Sequence, residues 1–226
     1  MINWLLSRLQ RPERGWDPIP PGHAQAYADL QWQSVDESIL DRIEEWTGPL
    51  ARLQVLDLGG GPGHYSAAFA RRGAQVTWYD ISRTYETIAR ERTAASGVDG
   101  SIRFAVGYLD EAPAQLGRTF DLVFNRICWN YGRSDGGFAR AVYALVRPGG
   151  YAYVDANTSN FNVEQLSSVA RLRTWLNSAT GIKVGHPMPP RGRTARLLLR
   201  QPVERALVDY SSPYNDCILL QRPALT

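Results

Sequence analysis

The sequence predicts an α/β fold with a doubly wound, mainly parallel β-sheet. Between residues 53 and 155, short apolar segments of strand length alternate with longer segments of helical periodicity, which is the pattern of repeated βαβ units. The strand segments are short, mainly apolar runs, as expected when helices cover both faces of a sheet. A run of four glycines and one proline follows the first of them. This run indicates a ligand site at one edge of the sheet.

Five strands of this pattern are predicted at 53–58, 75–80, 101–106, 120–125 and 150–155, with helices near 64–72, 83–95, 111–117 and 134–146. Residues 145–150 (LVRPGG) predict a turn that reverses the chain before the fifth strand. Two more strands, at 203–210 and 216–221, are expected to form a closing hairpin, so that the last strand runs antiparallel. A length of 226 residues, 44% of them hydrophobic, fits one domain with added segments.

The glycine turn lies in the segment 53–66 (LQVLDLGGGPGHYS), between the first strand and a helix that starts near His64. Glycines let the backbone approach a ligand closely, and the helix start points free N–H groups at it. The dinucleotide pattern G-x-G-x-x-G would need a third glycine where this chain has His64. The observed pattern is instead D-x-G-x-G-x-G, formed by Asp57, Gly59, Gly61 and Gly63.

The second strand ends in an acid, Asp80, 19 positions after Gly61. A carboxylate at this point can accept hydrogen bonds from both hydroxyls of a ribose. Together the glycine motif, Asp80 and the LVRPGG turn resemble the class I S-adenosylmethionine (SAM) dependent methyltransferases over about residues 50–156. The resemblance implies a seven-stranded Rossmann-like sheet, SAM as cofactor and S-adenosyl-L-homocysteine (SAH) as product, with no metal.

The resemblance also implies cofactor contacts just after the other strands. His64 and Ile81 are taken as cofactor contacts beside the glycine turn and Asp80. Leu109 and Asp110 follow the third strand and are expected at the adenine, although Asp110 could equally be a surface acid that starts the next short helix. Asn125, at the tip of the fourth strand, is expected to face the methionine portion of the cofactor.

Two segments outside the alternating pattern are interpreted as lids. Residues 1–50 predict a helical cap, with a short helix near the start and a second over 23–46. Tyr27 and Trp32 are candidates for covering the methionine end of SAM, or alternatively contact only protein. Residues 51–226 then form the methyltransferase domain, with a lid insertion at about 157–192. Its helix, over 162–179, is expected to begin with a capping box of Asn162 and Gln165.

Candidate substrate contacts lie in the loop after the fourth strand and behind the second lid. Arg126, Trp129 and Tyr131 are expected to line the substrate site, with core packing as the alternative for Trp129. Arg191 belongs to an arginine-rich stretch over 191–200 that could receive an acidic small molecule or form a solvated helix face. His186 is the candidate general base, because histidine titrates near neutral pH.

These residues favour a methyltransferase that moves a methyl group to O or N of a small molecule by in-line SN2 displacement. The alternatives are an RNA methyltransferase that uses the arginines of 191–200, and a regulatory protein that binds SAM without turnover. An aminopropyl transferase would want an acid after the fourth strand, where Asn125 and Arg126 stand. A net charge of +3 is too mild to indicate nucleic acid by itself.

Composition also bears on disulfides, membrane segments and localisation. Cys128 and Cys217 form neither a metal pattern nor a disulfide framework. No apolar run reaches the roughly 20 residues of a membrane span. Residues 1–9 lack the basic start and cleavage site of a signal peptide, so a cytoplasmic protein is expected. The sequence indicates no oligomeric state.

Overall fold

The computed structural model describes residue 9 and residues 11–225. The short helix expected near the start of the chain falls largely on residues 1–8, which lie outside the described residues.

Within the described part of the chain, a seven-stranded sheet has the order β3-β2-β1-β4-β5-β7-β6. Its strands are β1 Gln54–Leu58, β2 Gln75–Asp80, β3 Ile102–Val106, β4 Phe120–Arg126, β5 Val146–Asn157, β6 Arg205–Asp209 and β7 Asn215–Gln221. Strand β7 pairs antiparallel with both of its neighbours, and the other pairings are parallel. This architecture confirms the predicted fold class. The strand order reverses between β1 and β4, so a ligand crevice is expected at their carboxyl ends.

The helices that flank the sheet are α1 Pro21–Gln33, α2 Glu37–Thr47, α3 His64–Arg71, α4 Arg83–Ala95, α5 Ala112–Leu116, α6 Asp135–Leu145, α7 Ser168–Thr180 and α8 Arg193–Leu198. The segment 23–46, predicted as one helix, is therefore two. The break occurs because Asp36 caps α2, its side chain accepting a hydrogen bond from Ser38 N at 3.1 Å.

The core lies on both faces of the sheet because successive strand residues point to opposite sides. Val55 and Phe124 pack on one face together with α3, and Leu56 and Val123 pack on the other together with α6. Apolar residues on each side of every central strand explain why the strands read as continuous hydrophobic runs.

Two predicted boundaries are wrong. Helix α6 ends at Leu145 and β5 begins at once at Val146, with a bulge before Tyr151 in place of a separate turn. Helix α7 begins at Ser168, where Ser167 Oγ accepts from Ala170 N at 3.3 Å. Asn162 instead precedes a 3-10 turn over Val163–Gln165, its side chain makes no capping hydrogen bond, and its backbone is left-handed with a φ of 52°.

Among the described residues no helix has the length and apolar character needed to cross a membrane.

Candidate functional site

The glycine turn between β1 and α3 is held rigidly by the neighbouring strand. Gly59, Gly61 and Gly63 have φ values of 85°, 48° and 83°, a region that favours glycine. The amide of Gly59 donates to Tyr79 O at 2.7 Å, and the indole Nε1 of Trp78 donates to Gly61 O at 2.9 Å. Strand β2 therefore fixes the shape of the turn.

Each glycine of the turn meets different surroundings. An added Cβ at Gly59 would collide with the Sγ of Cys128, and one at Gly63 would lie 2.7 Å from the Cβ of Ala89. An added Cβ at Gly61 would have no heavy atom within 4 Å. The turn thus packs tightly against protein at Gly59 and Gly63 and faces open space at Gly61.

Asp57 lies in β1 just before the turn, with its Oδ2 close to Gly60. It is buried, and its Oδ2 accepts a hydrogen bond from Ser66 Oγ at 2.6 Å. Burial raises the pKa of Asp57 to about 7, against the hydrogen bond from Ser66, which lowers it. Asp57 therefore ties β1 to helix α3, and its described contacts are structural.

Asp80 lies at the carboxyl end of β2, directly beside the turn. Its Oδ2 accepts from Gly61 N at 3.0 Å and its Oδ1 from Ser82 N at 2.9 Å. Burial raises the pKa of Asp80, while the backbone amides of Ser82, Gly61 and Ile81 lower it. A carboxylate has about four acceptor positions, so both oxygens can accept further hydrogen bonds from a ligand. The structure brings Asp80, Gly61 and Ile81 together.

Asn125 and His64 leave buried polar atoms without partners among the described residues. The amide Nδ2 of Asn125 donates to Leu58 O at 2.7 Å, whereas its Oδ1 has no partner. His64 is only 8% exposed, and neither of its ring nitrogens has a partner. Burial and the charge of Arg126 lower the pKa of His64 to about 4, so its imidazole is neutral. Unsatisfied buried polar atoms are costly in a native protein, which points to a polar ligand.

Arg126 lies at the tip of β4, opposite Asp155 of β5. Its Nε is 3.1 Å from the Oδ2 of Asp155, and its guanidinium carbon is 5.4 Å from the centre of the Tyr65 ring. The charge of Arg126 acts on both His64 and Tyr27. Arg126 therefore borders the same crevice as the two unsatisfied side chains.

Leu109 and Asp110 lie in a short 3-10 turn after β3, next to the glycine turn. Leu109 is buried, close to Gly59. The Oδ2 of Asp110 accepts from Arg133 N at 2.8 Å, and burial raises the pKa of its carboxyl. Asp110 therefore ties the loop after β3 to the loop after β4.

The loop after β4 separates the two aromatic candidates. Trp129 is 1% exposed, contacts Phe138 edge-to-face and donates from Nε1 to Asp135 Oδ1 at 3.2 Å. Trp129 thus packs in the core, which is the alternative expectation for this residue. Tyr131 is 48% exposed, and its ring centre lies 5.0 Å from that of His186.

The N-terminal helix α1 covers the glycine turn. The indole Nε1 of Trp32 donates to Pro62 O at 2.8 Å. Tyr27 lies 6.1 Å from Tyr85 between ring centres and is half exposed. Burial raises the pKa of Tyr27, Tyr85 and Tyr131, and the charge of Asp80 adds to the increase in each. Three tyrosine hydroxyls therefore share the electrostatic surroundings of Asp80.

A cavity of about 130 Å³ lies under the lid helix α7, beside Tyr131. The side chains around it include Phe161, Leu166, Arg173, His186, Pro187 and Met188. Burial, and then the charge of Lys183, lower the pKa of His186, although the backbone of Asn130 accepts from its protonated form. His186 is therefore disposed to be neutral near physiological pH.

Arg191 is not among the residues that line this cavity. Its Nη2 donates to Tyr210 O at 2.6 Å, and its guanidinium carbon lies 5.5 Å from the ring centre of the same residue. The aromatic ring and the carbonyl at the end of β6 satisfy this guanidinium locally. A second cleft, of about 250 Å³, contains Arg193, Arg196 and Arg200.

Sequence reasoning missed several residues that shape the site. Asp17 anchors the N-terminal segment to helix α4, accepting from Thr84 N at 2.9 Å. Tyr85 and Arg173 follow no motif, because helix periodicity alone does not tell which residue faces a ligand. The contact of Trp78 with the glycine turn could have been predicted, since its position in β2 is close to the turn in any parallel pairing with β1.

Known proteins match this chain mainly over the central part of the sheet. Residues 55–150 match a family model described as a methyltransferase domain. A ubiquinone biosynthesis O-methyltransferase of Bordetella avium is 33% identical over 150 residues, which are 65% of this chain and 57% of that protein. One of Sinorhizobium fredii is 37% identical over 134 residues, which are 58% and 53%. The core of this chain, residues 55–150, is therefore similar to a methyltransferase domain.

Methyltransferases of known structure share the fold at low sequence identity. An O-methyltransferase family protein of Burkholderia thailandensis has a TM-score of 0.66 and 21% identity, covering 96% of this chain and 64% of that one. Magnesium protoporphyrin IX methyltransferase of Synechocystis, solved with SAH, has a TM-score of 0.60 and 18% identity, covering 82% of each chain. The chain spans just over half the length of the two ubiquinone methyltransferases above.

Proposed function

We propose that this methyltransferase moves a methyl group from SAM to an oxygen or nitrogen atom of a small molecule. The observation that carries the proposal is the set of groups at the carboxyl ends of β1, β2 and β4. There the Asp80 carboxylate, the open space at Gly61 and the unsatisfied atoms of His64 and Asn125 meet. A strand-order reversal is where α/β sheets bind nucleotides.

These residues fit the chemistry of SAM from one end to the other. Asp80 would accept hydrogen bonds from the ribose hydroxyls, and Gly61 would leave room for the cofactor against the backbone. Asn125 Oδ1 and neutral His64 would meet the polar methionine end. Leu109 would contact the adenine, with Asp110 beside it.

The lids would complete the site. Tyr27, with Ile81 below it, would cover the cofactor from the cap formed by residues 1–50. The insertion at about 157–192 would cover the acceptor, so that both lids exclude water from the transfer. In this proposal residues 51–226 form the methyltransferase domain.

Bound SAM supplies a methyl group on a positively charged sulfur, which makes the transfer an in-line displacement. The chain's own part is to align the acceptor and to exclude water. His186 is proposed as the group that takes the proton of an acceptor hydroxyl, because it borders the cavity beside Tyr131. Arg126 and Tyr131 would border the acceptor on the side of β4.

Asp80→Ala is expected to weaken SAH binding by about 1–3 kcal/mol, the scale for losing hydrogen bonds to a charged group. Isothermal titration calorimetry with SAH measures the change. Asp80→Asn keeps the size of the side chain and one acceptor oxygen, so its affinity for SAH should lie between those of Asp80→Ala and the wild type. Unchanged affinity in a folded Asp80→Ala protein would remove the ribose assignment.

Alanine at Gly61 and at Gly63 should separate cofactor binding from stability. Both positions have positive φ, which costs a non-glycine residue roughly 1–2 kcal/mol. Only Gly63→Ala also crowds Ala89, so it should lower the free energy of unfolding more, as urea denaturation would measure. Gly61→Ala should lower SAH affinity more, because its added methyl group enters the proposed cofactor space. The reverse ranking would place the ligand elsewhere.

An RNA methyltransferase is the second candidate, favoured by the cleft with Arg196 and Arg200. Neither guanidinium has an ion-pair partner among the described residues. Arg193, by contrast, is occupied, since its Nη1 donates to Asn177 O at 2.7 Å. If the acceptor is RNA, the affinity of the protein for RNA should fall steeply as the salt concentration rises, and Arg196→Ala should lower it further. Tight SAH binding with no turnover on any acceptor would favour the regulatory alternative.

A further inference from the structure

We propose that the methyl acceptor is a compact compound with one aromatic ring and an anionic substituent, and that Arg173 binds this substituent. The inference rests on the proposed function and names the substrate class of the same site. Its starting point is the cavity under helix α7, where a cation and a histidine share an apolar chamber.

The cavity has the size and lining for one ring. Its volume is about 130 Å³. A dry apolar cavity of about 150 Å³ accommodates benzene. Phe161, Leu166, Pro187 and Met188 supply aromatic, aliphatic and thioether surfaces. Such surfaces bind a flat apolar ring well. Ser159 and Thr174 add two hydroxyl groups to the lining.

Arg173 supplies a positive charge that no described residue neutralises. It lines the cavity and forms no ion pair or hydrogen bond with any described side chain or backbone group. The residues around the cavity include no acid, and the neighbouring cation Lys183 is paired with Asp135 at 3.2 Å. Arg173 is exposed, and a guanidinium without a carboxylate partner favours an anionic ligand, which it can bind through two parallel hydrogen bonds.

Gly185 makes room for this guanidinium. An added Cβ at Gly185 would lie 3.2 Å from the Nη1 of Arg173, and the φ of 72° also favours glycine there. The charge of Arg173 reaches His186, because it contributes to lowering the pKa of that imidazole. Arg173 and His186 therefore lie close enough to contact the same ligand in this cavity.

The arrangement orients the acceptor. Tyr131, 5.0 Å from His186 between ring centres, lies in the turn that follows the carboxyl end of β4, so His186 is on the cofactor side of the cavity. With its anionic group at Arg173, a ring would direct a hydroxyl toward His186. His186 takes the hydroxyl proton while the acceptor oxygen bonds to the methyl carbon, the carbon–sulfur bond breaks and SAH leaves.

Calorimetric titration of the enzyme–SAH complex with 3-hydroxybenzoate and with its methyl ester tests the proposal. Both probes have one ring and one hydroxyl, and only the acid is anionic. We expect the acid to bind at least tenfold more tightly, and Arg173→Gln to remove this preference without changing SAH affinity. Arg171→Gln is the matched control, since Arg171 lies on the same helix but its Nε donates to Leu166 O at 3.2 Å.

Equal binding of acid and ester to the wild type would overturn the proposal. So would a preference that survives in Arg173→Gln, or a SAH complex that binds neither probe. Absence of SAH binding in the wild type would instead overturn the proposed function. The two failures are therefore distinguishable in one series of titrations.

Discussion

His186→Gln is expected to lower kcat about 100-fold on a hydroxyl acceptor, the lower end of what a positioned general base contributes. The side chain borders the cavity next to Tyr131, and glutamine keeps a similar size without a titratable nitrogen. SAH affinity should stay unchanged, because His186 lies in the lid insertion and outside the glycine turn. Single-turnover kinetics with saturating SAM would measure the effect.

The pH dependence of kcat provides a second test of the role of His186. The neutral imidazole is the active base, and burial together with Lys183 lowers its pKa below the ordinary value of about 6.5. Wild-type kcat should therefore rise with pH through a value below about 6.5 and then stay level. His186→Gln should lack this acid limb. An unchanged kcat and profile would mean that the chain works by alignment alone.

Asp135→Ala is expected to lower the free energy of unfolding by about 3–5 kcal/mol, the range for removing one partner of a buried ion pair. Asp135 is buried, and its Oδ1 accepts from Lys183 Nζ at 3.2 Å and from Trp129 Nε1 at 3.2 Å. The side chain of Lys183 is only 1% exposed. The variant therefore leaves a buried ammonium group without this carboxylate.

An ion pair at the surface, with side chains 54% exposed for Arg90 and 17% exposed for Glu86, provides the control for this effect. Glu86 contacts Arg90 one turn along helix α4, with 2.9 Å between Oε1 and Nη2. Glu86→Ala should cost below about 1 kcal/mol, as surface ion pairs usually do. Urea denaturation of both variants measures the difference. Equal losses would mean that water reaches Lys183 and solvates its charge.

Sequence reasoning located the sheet because parallel strands covered on both faces leave an unmistakable pattern of apolar runs. It also located Asp80 and Gly61, since the carboxyl ends of neighbouring parallel strands must lie side by side. The ordinary hairpin rule gave the antiparallel last strand. These features depend on periodicity and backbone geometry, which are local properties of a sequence.

Side-chain direction in the loops could not be predicted in the same way. Trp129 and Tyr131 are two residues apart, yet one is in the core and the other faces the lid. Arg191 turns toward Tyr210 because that ring and carbonyl lie close by in space, 19 positions along the chain. Contacts made by distant segments decide such orientations, and no local pattern encodes them.

The contacts that hold the lid insertion in place affect how the acceptor enters the site and how the product leaves it. Its far end is clamped, since Arg193 donates to Asn177 O at 2.7 Å and to Ser178 O at 2.9 Å, and Lys183 is buried against Asp135. Toward its near end, helix α7 leaves Val169 and Leu172 exposed. We therefore expect residues 161–172 to move away from the cavity while residues 177–193 stay in place, so that acceptor and methylated product pass beneath the moving segment.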